Sequence, residues 1–265
     1  MSKPYVVGID IGGTNTVFGI VDARGVVIAS SSIKTKKHTN LDDYIDELHQ
    51  ELTKLLDAND ATDKVHGIGI GAPNANYYSG MIESGVNLPW PTPIPLAKLI
   101  SDKFGVPVSI TNDANAAAIG EMTYGAARGL KDFIMITLGT GVGSGVVING
   151  QLVYGHDGFA GELGHVIMKR NNGRLCGCGN HGCLETYCSA TGVARTACEF
   201  LEARPGEKSS LRDIPMEDIT SKDVYDAAIA GDKLAKDVFD YTGAILGAAL
   251  ADFTKFSAPE AFILF

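Results

Sequence analysis

The sequence predicts an α/β protein built from two similar domains. Three observations carry that expectation: an internal repeat at a distance of 127 residues, a glycine excess gathered at strand ends, and strands that alternate with amphipathic helices. Shifting the chain by 127 superimposes Asp10 on Thr137, Gly12 on Gly139 and Ile20 on Val147. That period is too long for a solenoid and fits a duplicated opening element. Glycine supplies 32 of the 265 residues, about 12 % against roughly 7 % on average. It clusters at 8–19, 67–71, 139–150 and 155–182, where backbone turns sharply or approaches a ligand closely.

The first domain opens with predicted strands at 5–10 and 17–21 around Ile11-Gly12-Gly13-Thr14-Asn15, and the turn Asp22-Ala23-Arg24-Gly25 leads into a third at 26–30. A helix follows, because Leu41, Tyr44, Ile45, Leu48, Leu52, Leu55 and Leu56 recur at three- and four-residue spacing with Asn40 placed as N-cap. Strands are expected at 66–71 and 106–111, the second running into an alanine-rich helical pattern over 113–127. The second half begins the same way, with strands at 133–138 and 144–148, the turn Asn149-Gly150 and a strand at 151–154. Helical patterns then cover 189–203, 221–230 and 232–256, and a polar, proline-containing stretch links the first two. The division is expected at 113/114, giving domains 1–113 and 114–265. The apolar, strand-like run at 260–265 is the last element; since a buried strand ordinarily feeds a turn and a covering helix, the functional protein is expected to continue past it.

Composition narrows the function classes. With 45 % hydrophobic and 20 % charged residues the chain is not a disordered one. Its 22 basic and 31 acidic side chains leave a net charge of −9, which argues against nucleic acid as the main partner. The N-terminal residues lack the pattern of a secretory signal, and no apolar run approaches the ~20 residues of a membrane helix. A soluble, cytoplasmic protein without a membrane partner is expected. Of five cysteines, Cys176, Cys178 and Cys183 crowd together, which points to a metal before a disulfide.

Four motifs carry chemistry. In Asp10-Ile11-Gly12-Gly13-Thr14-Asn15 and Leu138-Gly139-Thr140-Gly141-Val142-Gly143, small residues let backbone N–H groups converge on an anion and threonine hydroxyls add donors, as a polyphosphate requires. Asp10, at a strand end, is suited to a hydrated Mg²⁺. Each turn alone also fits a tight hairpin needing positive φ; their duplication favours the phosphate reading. Neither matches a Walker loop or opens the βαβ unit of a dinucleotide fold. Thr111-Asn112-Asp113-Ala114-Asn115 lies where a strand gives way to a helix, the place where open α/β sheets present ligand-binding groups. Asp113 there either accepts a proton from a substrate hydroxyl, with Asn112 fixing a neighbouring hydroxyl, or caps the helix.

Gly161-Glu162-Leu163-Gly164-His165, followed by Cys176-Gly177-Cys178-Gly179-Asn180-His181-Gly182-Cys183-Leu184-Glu185, supplies three thiols and a histidine for a tetrahedral zinc site. Spacing leaves both His165 and His181 open as the nitrogen ligand, and incidental reduced thiols are the plain alternative. Cys188 and Cys198 fall in helical pattern and read as core. A metal loop flanked by Glu162 and Glu185 places two carboxylates together, an arrangement that accepts hydrogen bonds from vicinal sugar hydroxyls.

In combination and in this order, these motifs resemble the ROK family of sugar kinases and related repressors, over about residues 6–189 and less specifically the helices beyond. The resemblance implies an α/β, two-domain actin-like ATPase (ribonuclease H-like) fold with a zinc-binding loop, its domains closing a cleft over ATP and a hexose. It implies that Asp113 is the general base for the sugar's 6-hydroxyl, while Asn112, Glu162, His165 and Glu185 hold the other hydroxyls. Asn87, in Gly85-Val86-Asn87-Leu88-Pro89-Trp90, lines the sugar side. His165 ligates structural Zn²⁺ with Cys176, Cys178 and Cys183, and the phosphates of ATP with Mg²⁺ lie among Asp10, Gly12, Gly13, Thr14, Asn15, Gly139, Thr140, Gly141 and Gly143. By the same comparison, an adenosine-binding Gly-Gly turn is expected after 263–265, beyond the last residue. A repressor's winged helix-turn-helix would precede Asp10, where nine residues stand. A hinge near 112–115 and a homodimer complete the picture. Three functions are weighed: an ATP-dependent hexokinase, glucokinase first and N-acetylhexosamine kinase as a variant of it; a sugar-sensing regulator lacking its DNA-binding domain; and an actin-like ATPase without a small substrate.

Overall fold

The computed structural model describes residues 3–84 and 88–265; Asn87 lies outside the described residues. The chain forms two compact units, Met1–Gly129 with Leu152–Ala160, and Leu130–Gln151 with Gly161–Phe265.

In the first unit, β1 (Tyr5–Ile11), β2 (Asn15–Asp22) and β3 (Val27–Lys34) form an antiparallel meander. Helix α1 (Leu41–Ala58) follows, with the Asn40 side chain accepting the Asp42 N–H as its cap. Then come β4 (Val65–Gly71), the short hairpin β5 (Ala75–Asn76) and β6 (Met81–Ile82), α2 (Leu96–Phe104), β7 (Val108–Thr111) and α3 (Asp113–Tyr124). The sheet runs β3-β2-β1-β4-β7, with β1, β4 and β7 parallel. Strand alternation decides its faces. Val7, Ile9, Ile11, Phe18, Ile20, Ile68, Ile70 and Ile110 share one buried cluster with Tyr44, Leu48 and Leu52 of α1 and Leu96 and Ile100 of α2. The opposite face is floored by Gly8, Gly19 and Gly69; α3 lies there, beside an open groove of about 640 Å³. Segment 152–160 belongs to this unit through Tyr154, stacked on Tyr77 at 4.3 Å, and through the Asp157 carbonyl, which accepts the Asn76 side-chain amide at 2.6 Å.

In the second unit, β8 (Phe133–Leu138), β9 (Val142–Ile148) and β11 (Ala261–Leu264) form a sheet with β10 (Gln151–Leu152), within which the chain passes to the first unit; the order is β10-β9-β8-β11, with β11 parallel to β8. Between them the chain builds α4 (Glu185–Cys188), α5 (Ala190–Ala203), α6 (Ser221–Ile229) and α7 (Lys233–Ser257). Val193, Ala197 and Leu201 of α5 pack with Val224 of α6 and with Leu234 and Val238 of α7. Among the described residues, no helix is long and apolar enough to cross a membrane.

The 127-residue repeat corresponds to a shared opening. Each unit starts with an antiparallel hairpin closed by a glycine turn, and its first strand then takes a parallel partner, β4 for β1 and β11 for β8. The unit boundary lies beyond 113/114, because α3 packs on the first sheet: a Cβ on Gly71 would stand 3.3 Å from Ala116. Elements the sequence reading did not anticipate are β5, β6, α2 and α4, and the helix predicted over 113–127 ends at Tyr124.

Candidate active site

The site residues gather in two places, one in each unit. In the first, three parallel strands end side by side. Asp10, one residue before the end of β1, stands level with Gly71 at the end of β4 and with Thr111 at the end of β7, just ahead of Asp113. Gly71 is the point of closest approach, since a Cβ there would lie 3.6 Å from the Asp113 backbone and 4.0 Å from Asp10 Oδ1. Desolvation, with a contribution from the Asp113 charge, raises the Asp10 carboxyl above the usual carboxylate range. The helix cap is Asn112, not Asp113: Asn112 Oδ1 accepts the Asn115 N–H at 2.6 Å. Asp113 is exposed, at the first position of α3, with Oδ1 accepting the Ala114 N–H at 2.8 Å. Two carboxylates therefore stand at one edge of a sheet, one beside the other.

The adjoining glycine turn closes on itself, with the Gly12 N–H donating to the Asn15 carbonyl at 3.0 Å. Thr14 and Asn15 are exposed, and Asn15 Oδ1 accepts Lys34 Nζ at 2.7 Å. Beneath the turn, Thr16 is fully buried and its hydroxyl meets Thr35 Oγ1 at 3.0 Å and the Tyr44 hydroxyl at 2.8 Å. Lys34 and this threonine–tyrosine network escaped the sequence reading, since a strand lysine and scattered hydroxyls carry no local signal.

In the second unit the other glycine turn is held from three sides. It too closes internally, Gly139 N–H to the Gly141 carbonyl at 3.1 Å. The Ala190 N–H donates to the Gly139 carbonyl at 2.8 Å, Thr191 Oγ1 to the Thr140 carbonyl at 2.9 Å, and the Val142 N–H to Glu185 Oε2 at 3.0 Å. The Glu185 carboxylate occupies the space beside Gly141, and a Cβ there, 2.2 Å from Glu185 Oε2, would displace it. The segment carrying Glu162 and His165 is fixed to β9 by Ser144, whose hydroxyl donates to the Gly161 carbonyl and accepts the Leu163 N–H. A Cβ on Gly164 would fall 2.0 Å from the Val142 carbonyl, so this close approach also demands glycine. Ser144 is a further residue the sequence reading missed.

His165, Cys176, Cys178 and Cys183 form a cluster whose ligand atoms all lie within 4.8 Å of one another. The choice left open by spacing falls to His165; His181 is exposed, and its backbone bridges Leu175 instead. Cys178 Sγ and Cys183 Sγ are 3.7 Å apart, and Cys176 Sγ lies 3.6 Å from His165 Nδ1. A tetrahedral zinc with ordinary bond lengths has S···S and S···N edges of about 3.8 and 3.5 Å, so the donor set fits that ion. Burial, together with the neighbouring Cys178 and Cys176 thiols, pushes the Cys183 thiol up to about 12, and a divalent cation is what lets three crowded thiolates coexist. Cys188 belongs to the core, its thiol facing the Thr242 carbonyl at 3.7 Å and pushed up to about 12 by burial, whereas Cys198 is half-buried.

The sequence profile of the ROK family matches residues 6–265. The chain is 36 % identical over 272 residues to the glucokinase of Halalkalibacterium halodurans, a match that covers all of this chain and 80 % of that relative. It is 31 % identical to the xylose repressor of Bacillus subtilis, covering 98 % of this chain and 63 % of the repressor. Among solved structures, a ROK family glucokinase from Streptomyces griseus in complex with glucose and AMPPNP matches with a TM-score of 0.76 and 34 % identity, covering 98 % of this chain and 82 % of that one.

Proposed function

Because this chain belongs to the ROK family, we propose that it is an ATP-dependent hexose kinase that phosphorylates glucose at the 6-hydroxyl. The observation that carries the reading is the exposed Asp113 carboxylate beside Asp10 at the parallel strand ends. Phosphoryl transfer needs alignment and charge stabilisation more than covalent help from protein. The 6-hydroxyl oxygen attacks the γ-phosphorus of ATP, the bond from phosphorus to the β–γ bridging oxygen breaks, and ADP departs. Asp113 accepts the hydroxyl proton as the new P–O bond forms.

In this reading Asp113, Asn112, Asn87, Glu162, His165 and Glu185 serve the sugar, and the turns of Gly12, Gly13, Thr14 and Asn15 and of Gly139, Thr140, Gly141 and Gly143 serve phosphate. With Gly12 and Gly139 N–H groups spent inside their turns, these two glycines shape the corners and the exposed threonines meet the phosphates. Asp10 is the residue for Mg²⁺, which neutralises phosphate charge. His165, Cys176, Cys178 and Cys183 are the residues for Zn²⁺, which serves as a structural pin. With His165 Nδ1 turned toward Cys176, Nε2 is the nitrogen left for a sugar hydroxyl. A homodimer belongs to the same reading.

A coupled ADP-release assay across glucose, fructose, allose, N-acetylglucosamine and N-acetylmannosamine, run with the native protein and Asp113→Asn, tests this. Glucose is expected to give the highest kcat/KM. Asp113→Asn is expected to lower kcat by about 10²- to 10⁴-fold, the usual worth of a positioned base, with glucose affinity by calorimetry retained. Near-normal turnover by the variant would sink the base assignment. The similarity to a xylose repressor favours a second reading, a sugar-responsive regulator; sugar binding with no ADP from any hexose is its signature.

A further inference from the structure

Arg174 is the most completely engaged side chain of the second unit, and neither phosphate nor metal accounts for it. Its side chain is 5 % exposed. All five N–H groups of the guanidinium are used. Nε donates to Glu199 Oε1 at 3.0 Å, and Nη2 to Glu199 Oε2 at 2.6 Å and to Thr196 Oγ1 at 2.8 Å. Nη1 donates to the Thr186 carbonyl at 2.6 Å and the Gly192 carbonyl at 3.2 Å. The guanidinium also sits 4.6 Å above the Tyr187 ring, whose hydroxyl accepts the Arg174 N–H at 3.1 Å.

Those two carbonyls lie along the corner 185–191 where α4 passes into α5, one on Thr186 next to Glu185 and one on Gly192 next to Thr191. That corner makes all three of the hydrogen bonds, from Glu185, Ala190 and Thr191, that grip the second glycine turn. One guanidinium nitrogen therefore ties the residue that follows Glu185 to the residue that follows Thr191. The other end of Arg174 is anchored in the metal loop: it lies two residues before Cys176, and its carbonyl accepts the Gly182 N–H at 2.8 Å, next to Cys183. A buried guanidinium is costly to desolvate, and an apolar side chain of similar volume stabilises about as well. What an apolar side chain lacks is a planar fork able to hold several acceptors at fixed spacing.

We propose that Arg174 is a positioning residue that transmits the geometry of the Cys176–Cys183 loop to the 185–191 corner, setting where the Glu185 carboxylate stands for the sugar. This rests on the reading of Glu185 as a sugar ligand. Because Arg174 acts through Glu185, removing it is expected to impair glucose binding only while that carboxylate is present.

The test is a double-mutant cycle on the zinc-loaded protein with Arg174→Met, Glu185→Gln and the pair, reading KM for glucose, kcat, zinc content and Tm. Arg174→Met fills the volume without the fork; Arg174→Lys asks whether charge alone suffices. Both are expected to keep about one zinc per chain and to raise the glucose KM about tenfold, within the range that misplacing a substrate-positioning group costs, with kcat changed less than about twofold. In the Glu185→Gln background, Arg174→Met is expected to add less than about twofold. A glucose KM unmoved by Arg174→Met or restored by Arg174→Lys overturns the proposal, as does an equal effect in both backgrounds. A glucose KM unmoved by Glu185→Gln alone instead overturns the sugar assignment beneath it. Should Arg174→Met fail to fold, Glu199→Gln loosens the same clasp from its half-exposed side and carries the cycle at about two- to threefold; additivity there again overturns the proposal.

Discussion

The Asp10 carboxylate, one residue from the end of β1, is short of full hydration and feels the Asp113 charge, and so is harder to ionise than the same group in an unfolded chain. The folded protein therefore holds the Asp10 proton more tightly. The stability linked to it is fully present below the ordinary carboxylate value of about 4 and is lost as pH rises through the elevated folded value. Ionising Asp10 costs the folded apoprotein more than the unfolded chain. Asp10→Asn is expected to raise Tm at pH 7, to lose that advantage as pH falls below about 4, and to depress turnover by weakening Mg²⁺-nucleotide binding. Melting curves across that range check it, and an Asp10→Asn protein less stable than native at pH 7 contradicts it. At this scale legibility followed chemistry. Asp10, Asp113 and the cluster of His165, Cys176, Cys178 and Cys183 stand in motifs whose residue types point to chemistry, and geometry gathered His165 rather than His181 with the thiols and gave the helix cap to Asn112. Ser144 and Arg174 were not legible, because a serine inside a strand and an arginine in a glycine-rich loop ordinarily face water; burial alone reveals them.

The metal loop is an element with little apolar core of its own. Gly173 and Gly182 pack backbone against backbone, a Cβ on Gly173 falling 2.5 Å from the Gly182 Cα, so the cation is expected to supply much of the loop's folding energy. Chelation, or Cys178→Ser, is expected to raise the glucose KM at least about tenfold and to make 166–183 protease-sensitive, while the first unit keeps its proteolytic resistance. Carefully purified protein found without metal, yet with native glucose KM, removes the pin from the mechanism. The strand–glycine–strand openings were legible because β-branched runs flank their turns, and α1 because seven apolar residues share one face. Helix α2 was not: Pro91, Pro93 and Pro95 crowd its entrance, and nine residues make too few turns for its apolar spacing to stand out. The two-residue strands β5 and β6 and the four-residue α4 are too short to show any period.

For the whole molecule, ligand linkage gives a readout independent of turnover. Glucose at a hundred times its Kd is expected to stabilise the native protein by about 2.7 kcal/mol, a rise in Tm of roughly 5–10 °C at this size, saturating with concentration. A flat melting temperature across that range argues against any glucose site. The duplication was visible in sequence because each copy keeps its glycine corner, whereas the unit boundary was not, since α3 follows β7 without a break and only its packing on Gly71 assigns it. That packing has a consequence for chemistry. Asp10 lies near the end of β1 and Asp113 follows β7, with β4 alone between those strands, so their backbones are separated by about two inter-strand spacings, roughly 10 Å. A hydrogen-bonded sheet is a ruler that stretches very little. On the proposed roles, proton acceptor and cation anchor then travel as a single rigid jig, so that no motion of loops or helices alters the span between them.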